Sequence, residues 1–259
     1  MSPHVRQGRI IELLEIHDEC SVEFLVARLG VSGMTIRRDL KTLAEAGRII
    51  RTHGGATLAG RVSFEFQFLN RSRQQQEAKQ AIAEVAANLI EDGQSVMLDS
   101  STTTLALAAR FKTKKSLTVI TTSLPIASEL QYCDHVDVLL LGGVLRQGAP
   151  DLAGALTETN LENIRADVAF IGGDAVDRDG NIYNASLDVG RMLSKMAASA
   201  ERVYAVVDSS KLGQKALSRF GNITQWEGLI TDRGLNQPTA LALKRAGVRV
   251  TKAPVRKGR

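Results

Sequence analysis

The spacing of apolar residues near the amino terminus predicts three short helices, the first over about residues 6 to 17. The apolar positions at helical spacing are Ile10, Leu13 and Leu14, then Val22, Leu25, Val26 and Leu29, and finally Ile36, Leu40 and Leu43. Ser21 and Ser32 are good N-cap residues for the second and third helices, and Gly30 is placed to end the second. Two helices joined by such a short turn are typical of a helix-turn-helix.

The third helix keeps its polar residues away from the apolar face, near its amino-terminal end. In a helix-turn-helix, this half of the second of the two helices enters the major groove and meets base edges. We therefore predict DNA contacts by Ser32, Met34, Thr35, Arg37, Arg38 and Lys41. A packed helical hairpin with a solvated charged face is the alternative that the pattern by itself leaves open.

A short β-branched segment after the third helix has arginine at both ends and runs into a pair of glycines. This is the pattern of a wing, a β-hairpin whose tip approaches the phosphate backbone. We predict backbone or minor-groove contacts by Arg48, Arg51, His53, Gly54 and Gly55.

From residue 77 onward, helical and strand patterns alternate, which indicates a parallel α/β domain. Six buried strands are predicted over residues 96–98, 117–120, 136–141, 168–171, 203–207 and 228–230. We expect two domains: a small α+β winged helix-turn-helix over residues 1–57, and an α/β, Rossmann-like domain over residues 77–259. A linker over residues 58–76 joins them.

The linker contains three alternating phenylalanines, Phe64, Phe66 and Phe68. They suggest an extended segment that docks on its own α/β domain or on a second subunit. An ordinary strand between domains that packs on its own chain is the alternative. One winged helix reads only a few base pairs, so we expect at least a dimer, held mainly by the α/β domain.

Each predicted strand ends in a small polar or glycine-rich loop. In open α/β sheets, ligands bind at the carboxyl ends of strands, and hydroxyl-rich loops that open helices suit phosphate. We predict a small phosphorylated ligand held by Asp99, Ser100, Ser101, Thr102, Thr103, Thr122, Ser123, Gly142, Gly143, Gly172, Asp208 and Lys211. Lys211 would supply positive charge, and Asp99, Asp208 or Asp232 would accept from sugar hydroxyls. For any single loop, plain helix capping is the alternative.

Positive charge is concentrated where DNA binding is predicted. The chain carries a net charge of +5, and residues 28–61 alone carry seven basic residues against two acidic ones. A localised basic face is expected of a protein that neutralises phosphates. Residues 244–259 carry seven basic and no acidic residues. We expect them to form a solvated, partly disordered tail, with a second nucleic-acid contact as the alternative.

Composition argues against several other classes of protein. No run approaches the roughly 20 apolar residues that span a bilayer, and no signal-peptide pattern opens the chain, so we expect no membrane partner. Cys20 and Cys133 lack the spacing of a metal site or a disulfide framework, and the four histidines lack metal-ligand spacing. We expect a cytoplasmic protein without a cofactor or metal.

The sequence resembles the DeoR family of bacterial transcriptional regulators over essentially its whole length. The matching residues are Val31-Ser32, Thr35 to Leu40, Leu43, Gly47 and Arg51 to Ala56, then Gly142-Gly143, Asp167, Phe170 to Gly172, Asp208 to Lys211 and Ile230 to Asp232. The resemblance implies a winged helix-turn-helix joined to a sensor domain that looks like sugar-phosphate isomerases. It also implies a repressor of a carbohydrate-catabolism operon, which a phosphorylated sugar releases from its operator DNA.

The sequence departs from the family pattern in the predicted ligand loops. Ser101 and Ala175 stand where the family usually has glycine, Thr122 stands where asparagine is common, and Leu193-Ser194 replace a Lys-Arg pair. One alternative is therefore a DNA-binding regulator whose second domain senses nothing. A sugar-phosphate isomerase or deaminase is the other, but no set of base, acid and lysine with defined roles is visible, so we expect no enzyme.

Overall fold

The computed structural model describes residues 2–17, 19–45, 48–52, 54–58, 68, 71–146 and 149–254. The chain divides into two compact units, Met1–Gln67 and Phe68–Arg259. Of the residues singled out in the wing and the linker, His53, Phe64 and Phe66 lie outside the described residues, whereas Phe68 is buried. Within the described ranges, no helix is both long enough and apolar enough to cross a membrane.

The first unit contains three helices and a small antiparallel sheet of strand order β1-β3-β2. Its elements are α1 Pro3–His17, β1 Glu19–Ser21, α2 Val22–Leu29, α3 Gly33–Glu45, β2 Ile49–Thr52 and β3 Gly55–Leu58. The Ser21 hydroxyl caps α2 by accepting from the Phe24 amide at 3.1 Å, and Gly30 ends α2 at φ 66°. The three predicted helices are thereby confirmed, with Ile10, Leu25 and Ile36 at the centre of their shared core.

The sequence pattern did not predict β1, which pairs with β3 and makes the wing a three-stranded sheet. Gly55 lies on the central strand, and a Cβ atom there would come within 2.2 Å of the Cys20 carbonyl oxygen. The glycine therefore allows β1 and β3 to approach. Gly54 occupies the turn at φ 98°, and its carbonyl accepts from the Val22 amide at 2.8 Å.

A buried ion pair joins α1 to α3. The Arg6 guanidinium donates through Nε to Asp39 Oδ2 at 2.5 Å and through Nη2 to Oδ1 at 3.2 Å. The Gln7 side chain donates to the same carboxylate at 3.3 Å. Asp39 is buried although its neighbours Arg37 and Arg38 are exposed, so its role within this charged stretch is to fix the helix that carries them.

The second unit is built on a seven-stranded parallel sheet of order β15-β14-β12-β9-β4-β5-β6. These strands are β4 Ser95–Leu98, β5 Leu117–Thr121, β6 Val136–Leu140, β9 Ala166–Ile171, β12 Ala200–Val206, β14 Gly228–Asp232 and β15 Val250–Ala253. Six of them confirm the predicted strands, with ends that shift by a few residues. The seventh corrects part of the expectation of a solvated, partly disordered tail over residues 244–259, because residues 250–253 pair with β14 at the sheet edge and Ala253 is buried.

Helices cover both faces of this sheet, because its strands are apolar on both sides. They are α4 Gln76–Ala87, α5 Thr102–Ala108 and α6 Leu124–Leu130 on one face, and α7 Ala155–Glu162, α8 Leu187–Ala198 and α9 Gln237–Arg245 on the other. Alternate residues of one strand enter opposite cores: Val96 and Leu98 belong to the core on the side of α4, α5 and α6, whereas Met97 belongs to the core on the side of α8.

Two smaller sheets accompany the main one. The hairpin of β7 Val144–Leu145 and β8 Leu152–Ala153 follows β6, and the antiparallel sheet of β10 Ala175–Val176, β11 Asn181–Asn184 and β13 Ser218–Asn222 packs beside α8. The sequence pattern predicted neither, because β7, β8 and β10 contain only two residues each and polar residues interrupt β11 and β13.

We predict that Asp39→Ala lowers the midpoint of thermal unfolding of the first unit by several degrees, since it leaves the buried Arg6 guanidinium without its carboxylate. Differential scanning calorimetry measures the change. Glu45→Ala is the matched control, because Glu45 also lies on α3 but forms only an exposed pair with Lys41, 3.8 Å away. Equal midpoints for the two variants would contradict a stabilising role of the buried pair.

Candidate functional sites

The amino-terminal half of α3 presents a continuous exposed polar and basic surface. Ser32, Met34, Arg37, Arg38 and Lys41 are all exposed and Thr35 is half-buried, while Ile36 and Leu40 turn inward. The Ser32 hydroxyl accepts from the Thr35 amide at 3.3 Å, which begins the helix where the capping pattern predicted. The amino-terminal half of α3 is therefore accessible to solvent, as is required of a helix that enters the major groove.

Met34 is 76% exposed at the start of α3. An apolar side chain in that position has no packing function within the described residues. A thymine methyl group in the major groove is the kind of surface it fits.

The wing carries two exposed arginines, as its sequence predicted. Arg48 comes just before β2, and Arg51 lies on this strand, which leads to the hairpin tip.

The connectivity of the main sheet reverses between β4 and its neighbour β9. In open α/β sheets, this switch point opens a crevice at the carboxyl ends of the strands. The Asp99 carboxylate follows β4 and accepts across this point from the Gly172 amide, which follows β9, at 3.1 Å. The predicted loops after these two strands therefore do meet.

Asp99 is buried and its carboxylate is occupied by the loops themselves. Besides Gly172, it accepts from the Thr104 hydroxyl at 2.8 Å and from the Ser101 amide at 3.3 Å. Burial raises the pKa of the Asp99 carboxyl, and the hydrogen bonds from Thr104 and Ser101 act in the opposite direction. Asp99 thus shapes the loop, and its oxygens point to protein donors instead of outward to sugar hydroxyls as the sequence suggested.

The departures from the family's loop pattern fit the backbone without strain. Ser101 has φ −77° and caps α5 by accepting from the Thr104 amide at 3.2 Å, so the position does not need glycine. Ala175 lies in the extended strand β10 and pairs with Tyr183. Leu193 is buried in the core, and the nearby Lys195 pairs with Glu158 and Glu162 on α7.

Several predicted ligand residues serve packing. Thr103 and Ser123 are buried, and the Ser123 hydroxyl caps α6 by accepting from the Ile126 amide at 3.4 Å. The Gly142 carbonyl accepts from the Thr157 hydroxyl at 2.7 Å, and a Cβ atom on Gly143 would lie 2.1 Å from that same hydroxyl oxygen. These residues therefore cap a helix or join neighbouring segments of the chain at the carboxyl end of the sheet. Among the predicted ligand residues, those that stay partly accessible are Ser100, Ser101, Thr102, Gly142, Gly143 and Lys211, all of them half-buried.

One predicted ligand residue carries a polar atom without a partner. The Thr122 hydroxyl is fully buried after β5 and has no hydrogen-bond partner among the described residues. Thr231, at the end of β14, has the same property. Leaving a buried hydroxyl unpaired costs free energy, so each such group needs an explanation, and a ligand or ordered water that supplies the missing bond is one.

Lys211 and Asp208 lie in the loop after β12. The Lys211 ammonium donates to the Gly173 carbonyl at 3.1 Å, which brings it to the loop that follows β9. The Asp208 carboxylate accepts from the Ser210 amide at 3.2 Å, while Asp232 accepts from the Ser209 amide at 2.6 Å. As with Asp99, both carboxylates order their loops. Lys211 is the cation that reaches towards the switch point.

Sequence reasoning missed Arg146 and Asp151, which flank the short loop of the β7–β8 hairpin. Their side chains form a bidentate pair, Nε to Oδ1 at 2.7 Å and Nη2 to Oδ2 at 2.8 Å, and Asp151 is fully buried. The Ser100 hydroxyl also donates to this carboxylate. The hairpin is thereby fixed to the loop after β4, although nothing in the local pattern of residues 144–153 indicates it.

Lys79 was also missed, and its signal was present in the sequence. It falls on the same helical face as Ile82, Ala83 and Ala86, so a lysine stands at a position that the period of α4 assigns to the core. Burial lowers the pKa of Lys79 to about 8, and the nearby Lys211 acts in the same direction while Asp208 opposes it. Lys79 thus belongs to the same charged cluster.

A winged helix-turn-helix with an exposed basic reading helix, followed by an α/β domain with a polar switch point, defines a DNA-binding transcriptional regulator of two domains. Residues 6–62 match the family described as DeoR-like helix-turn-helix domain, and residues 74–233 match the DeoR C terminal sensor domain. The chain belongs to the DeoR family of transcriptional regulators.

Curated relatives match almost the whole chain. The HTH-type transcriptional regulator GlpR of Haloferax volcanii is 35% identical over 96% of this chain and 98% of its own length. The glycerol-3-phosphate regulon repressor of Escherichia coli is 32% identical over 88% and 90%. Among solved structures, the ribose 5-phosphate isomerase A of Methanocaldococcus jannaschii is 16% identical, with a TM-score of 0.41 over 54% of this chain and 55% of its own.

Proposed function

We propose that this protein is a cytoplasmic, homo-oligomeric repressor that binds operator DNA upstream of carbohydrate-catabolism genes and leaves it when a phosphorylated sugar binds the α/β domain. The exposed basic start of α3 is the observation that carries the DNA-binding half. The sensing half is supported by Lys211 at the switch point and by the Thr122 hydroxyl after β5, which has no hydrogen-bond partner among the described residues. The similarity to the glycerol-3-phosphate regulon repressor of Escherichia coli supports a small phosphorylated polyol as the class of effector.

For DNA binding we propose a division of labour within the winged helix-turn-helix. Met34, Thr35 and Arg38 reach base edges, whereas Arg37 and Lys41 bind phosphates of the same groove. Arg48 and Arg51 of the wing bind the neighbouring backbone, together with His53. Thr35 is half-buried and His53 lies outside the described residues; the other side chains are exposed, as contact with DNA requires. Gly54 and Gly55 shape the hairpin instead of binding DNA through side chains.

We predict that Arg38→Ala weakens specific operator binding by about 1–3 kcal/mol and relaxes base preference at one position of each half-site. Arg51→Ala should weaken binding to all sequences alike and make the dependence on salt shallower by about one unit of slope. Gel shifts over a salt series, with operator and scrambled duplexes, measure both effects. Arg178→Ala, which removes an exposed arginine of the second unit, is the control. Unchanged affinity for both Arg38→Ala and Arg51→Ala would refute the assignment of α3 and the wing.

For effector binding we propose that the phosphate lies beside Lys211, at the loop of Ser100, Ser101 and Thr102 after β4. The Lys211 ammonium adds a charge-assisted contact, and hydroxyl donors of the loop complete the site. Helix α5 contains only seven residues, so we assign the principal positive charge to Lys211 and not to the helix dipole. Asp99 and Asp208 hold these loops in place. Because both carboxylates are already occupied by protein donors, we propose that the site binds without catalysing isomerisation.

We predict that Lys211→Ala binds operator like the parent protein but is no longer released from it by a phosphorylated sugar. A tenfold release requires about 1.4 kcal/mol of coupling, which lies in the usual range for allosteric proteins. Fluorescence anisotropy of labelled operator, titrated with glycerol 3-phosphate and a panel of aldose and ketose phosphates, measures release. Lys215→Ala is the control, because Lys215 is exposed four residues further along. A Lys211→Ala variant that still responds would place the pocket elsewhere, and interconversion of the sugar phosphates would favour an enzyme.

We propose at least a dimer, because two reading helices on a two-fold axis supply the affinity that a single wing domain lacks. Sedimentation velocity of the full chain at micromolar concentration should show a dimer or a larger assembly. The operator should in turn contain paired half-sites about one helical turn, ~34 Å, or a multiple of it apart. A strictly monomeric protein that still binds its operator tightly would contradict this proposal.

A further inference from the structure

Lys79 joins the predicted effector site to the end of the linker. It lies in the first turn of α4 and is only 5% exposed. Its ammonium donates to the Gln74 carbonyl at 2.8 Å and to the Arg71 carbonyl. These two carbonyls belong to the segment by which the chain enters the α/β domain from the linker. A single buried side chain therefore holds this entry segment against the domain.

The segment held by Lys79 contains a residue in an unfavourable backbone conformation. Gln75 has φ 52° and ψ 35°, in the left-handed region, and makes no side-chain capping bond at the start of α4. Among the described residues, only Ser116 is another non-glycine residue with positive φ. A glutamine adopts this conformation at a cost, so it persists only where surrounding contacts impose it. The carbonyls of Arg71 and Gln74 precede Gln75, and Lys79 follows it, so the two hydrogen bonds from Lys79 span this turn.

The charges around Lys79 favour an anion. Its close charged neighbours are Lys211, Asp208 and Arg71. Two of these neighbours are cations like Lys79 itself, and the carboxylate among them, Asp208, already accepts from the Ser210 amide and hydroxyl. The lowered pKa of Lys79, about 8, reflects burial first and the repulsion from Lys211 second. An anion bound beside Lys211 would therefore also attract the Lys79 ammonium, which has two carbonyl dipoles as its present partners.

We propose that Lys79 transmits effector binding to the linker: a phosphate bound beside Lys211 competes with the Arg71 and Gln74 carbonyls for the Lys79 ammonium and frees the turn at Gln75. The inference rests on the effector site proposed above. A ligand changes an equilibrium only by its different affinity for two arrangements. Here the two arrangements are the Lys79 ammonium bonded to the entry segment and the same ammonium bonded to the phosphate.

Hydrogen–deuterium exchange of the full-length protein tests this transmission, with glycerol 3-phosphate and inorganic phosphate as probes. In the parent protein, either probe should increase amide exchange several-fold in peptides that cover residues 71–79. Lys79→Met removes the ammonium and keeps the side-chain length. It should show the faster exchange without any probe, and the probes should add nothing further. Should the methionine variant fail to fold, Lys79→Gln provides the same comparison with a neutral donor.

Lys114→Met is the matched control. Lys114 is half-buried and, like the buried Lys79, donates to a backbone carbonyl, that of Ile90 at 2.7 Å, in the loop that follows α4. The control should respond to the probes like the parent protein. Equal exchange of residues 71–79 in Lys79→Met and the parent would overturn the proposal, as would a probe that still accelerates exchange in Lys79→Met.

A thermal-shift assay reads phosphate binding separately from transmission. Binding to the parent protein that leaves residues 71–79 unchanged would overturn the role of Lys79 and leave the effector site intact. Probes that do not shift the parent protein at all would overturn the effector site itself, and this inference with it. Lys211→Met should lose the thermal shift while it keeps the slow exchange of the parent, which separates the binding residue from the transmitting one.

Discussion

The hydrogen bond from the Gly172 amide to the Asp99 carboxylate spans the point where the parallel sheet reverses its connectivity. The loops on either side of it depend on this contact. Asp99 also accepts from Ser101 and Thr104, so the start of α5 takes its position from the same carboxylate. A Cβ atom on Gly172 would come within 2.7 Å of the Ser101 hydroxyl, so the two loops also fit sterically. A buried carboxylate with three donors is costly to disturb, so Asp99 holds the loops on either side of the switch point in a fixed arrangement.

This fixed arrangement explains why the carboxylates expected to bind a sugar are occupied by protein. The predicted acceptors Asp99, Asp208 and Asp232 all accept hydrogen bonds from loop amides or hydroxyls, and so does Asp151, which the sequence did not predict, from Arg146 and Ser100. What remains accessible is cationic or hydroxylic, which suits an anion better than a neutral polyol. Under the proposed function, the phosphate and not the sugar is therefore the part of the effector that this edge of the sheet would bind.

The DNA-binding unit follows a different physical logic. The side chains at the start of α3 must be exposed, while the buried face of the same helix fixes its orientation. Ile36 and Leu40 bury one face of α3, and the Arg6–Asp39 pair ties the same helix to α1. Within the charged stretch from Arg37 to Asp39, the two arginines are exposed while Asp39 faces the protein interior, because successive residues of a helix lie on different faces.

The sequence by itself determined the elements whose signal is local. Helical periodicity, the Ser21 and Ser32 caps and the glycine at position 30 defined the helix-turn-helix, and β-branched runs defined six of the seven main strands. Tertiary structure decided what depends on distant partners. Strand β1 forms only because Gly55 lets it approach β3, and β15 is a strand only because β14 offers an unpaired edge. Asp151 accepts from Ser100 across some fifty residues of chain, and Lys211 lowers the pKa of Lys79 although more than a hundred residues separate the two. No local pattern encodes such pairs, since the cost and benefit of burying a charge are set by whichever groups the fold places around it.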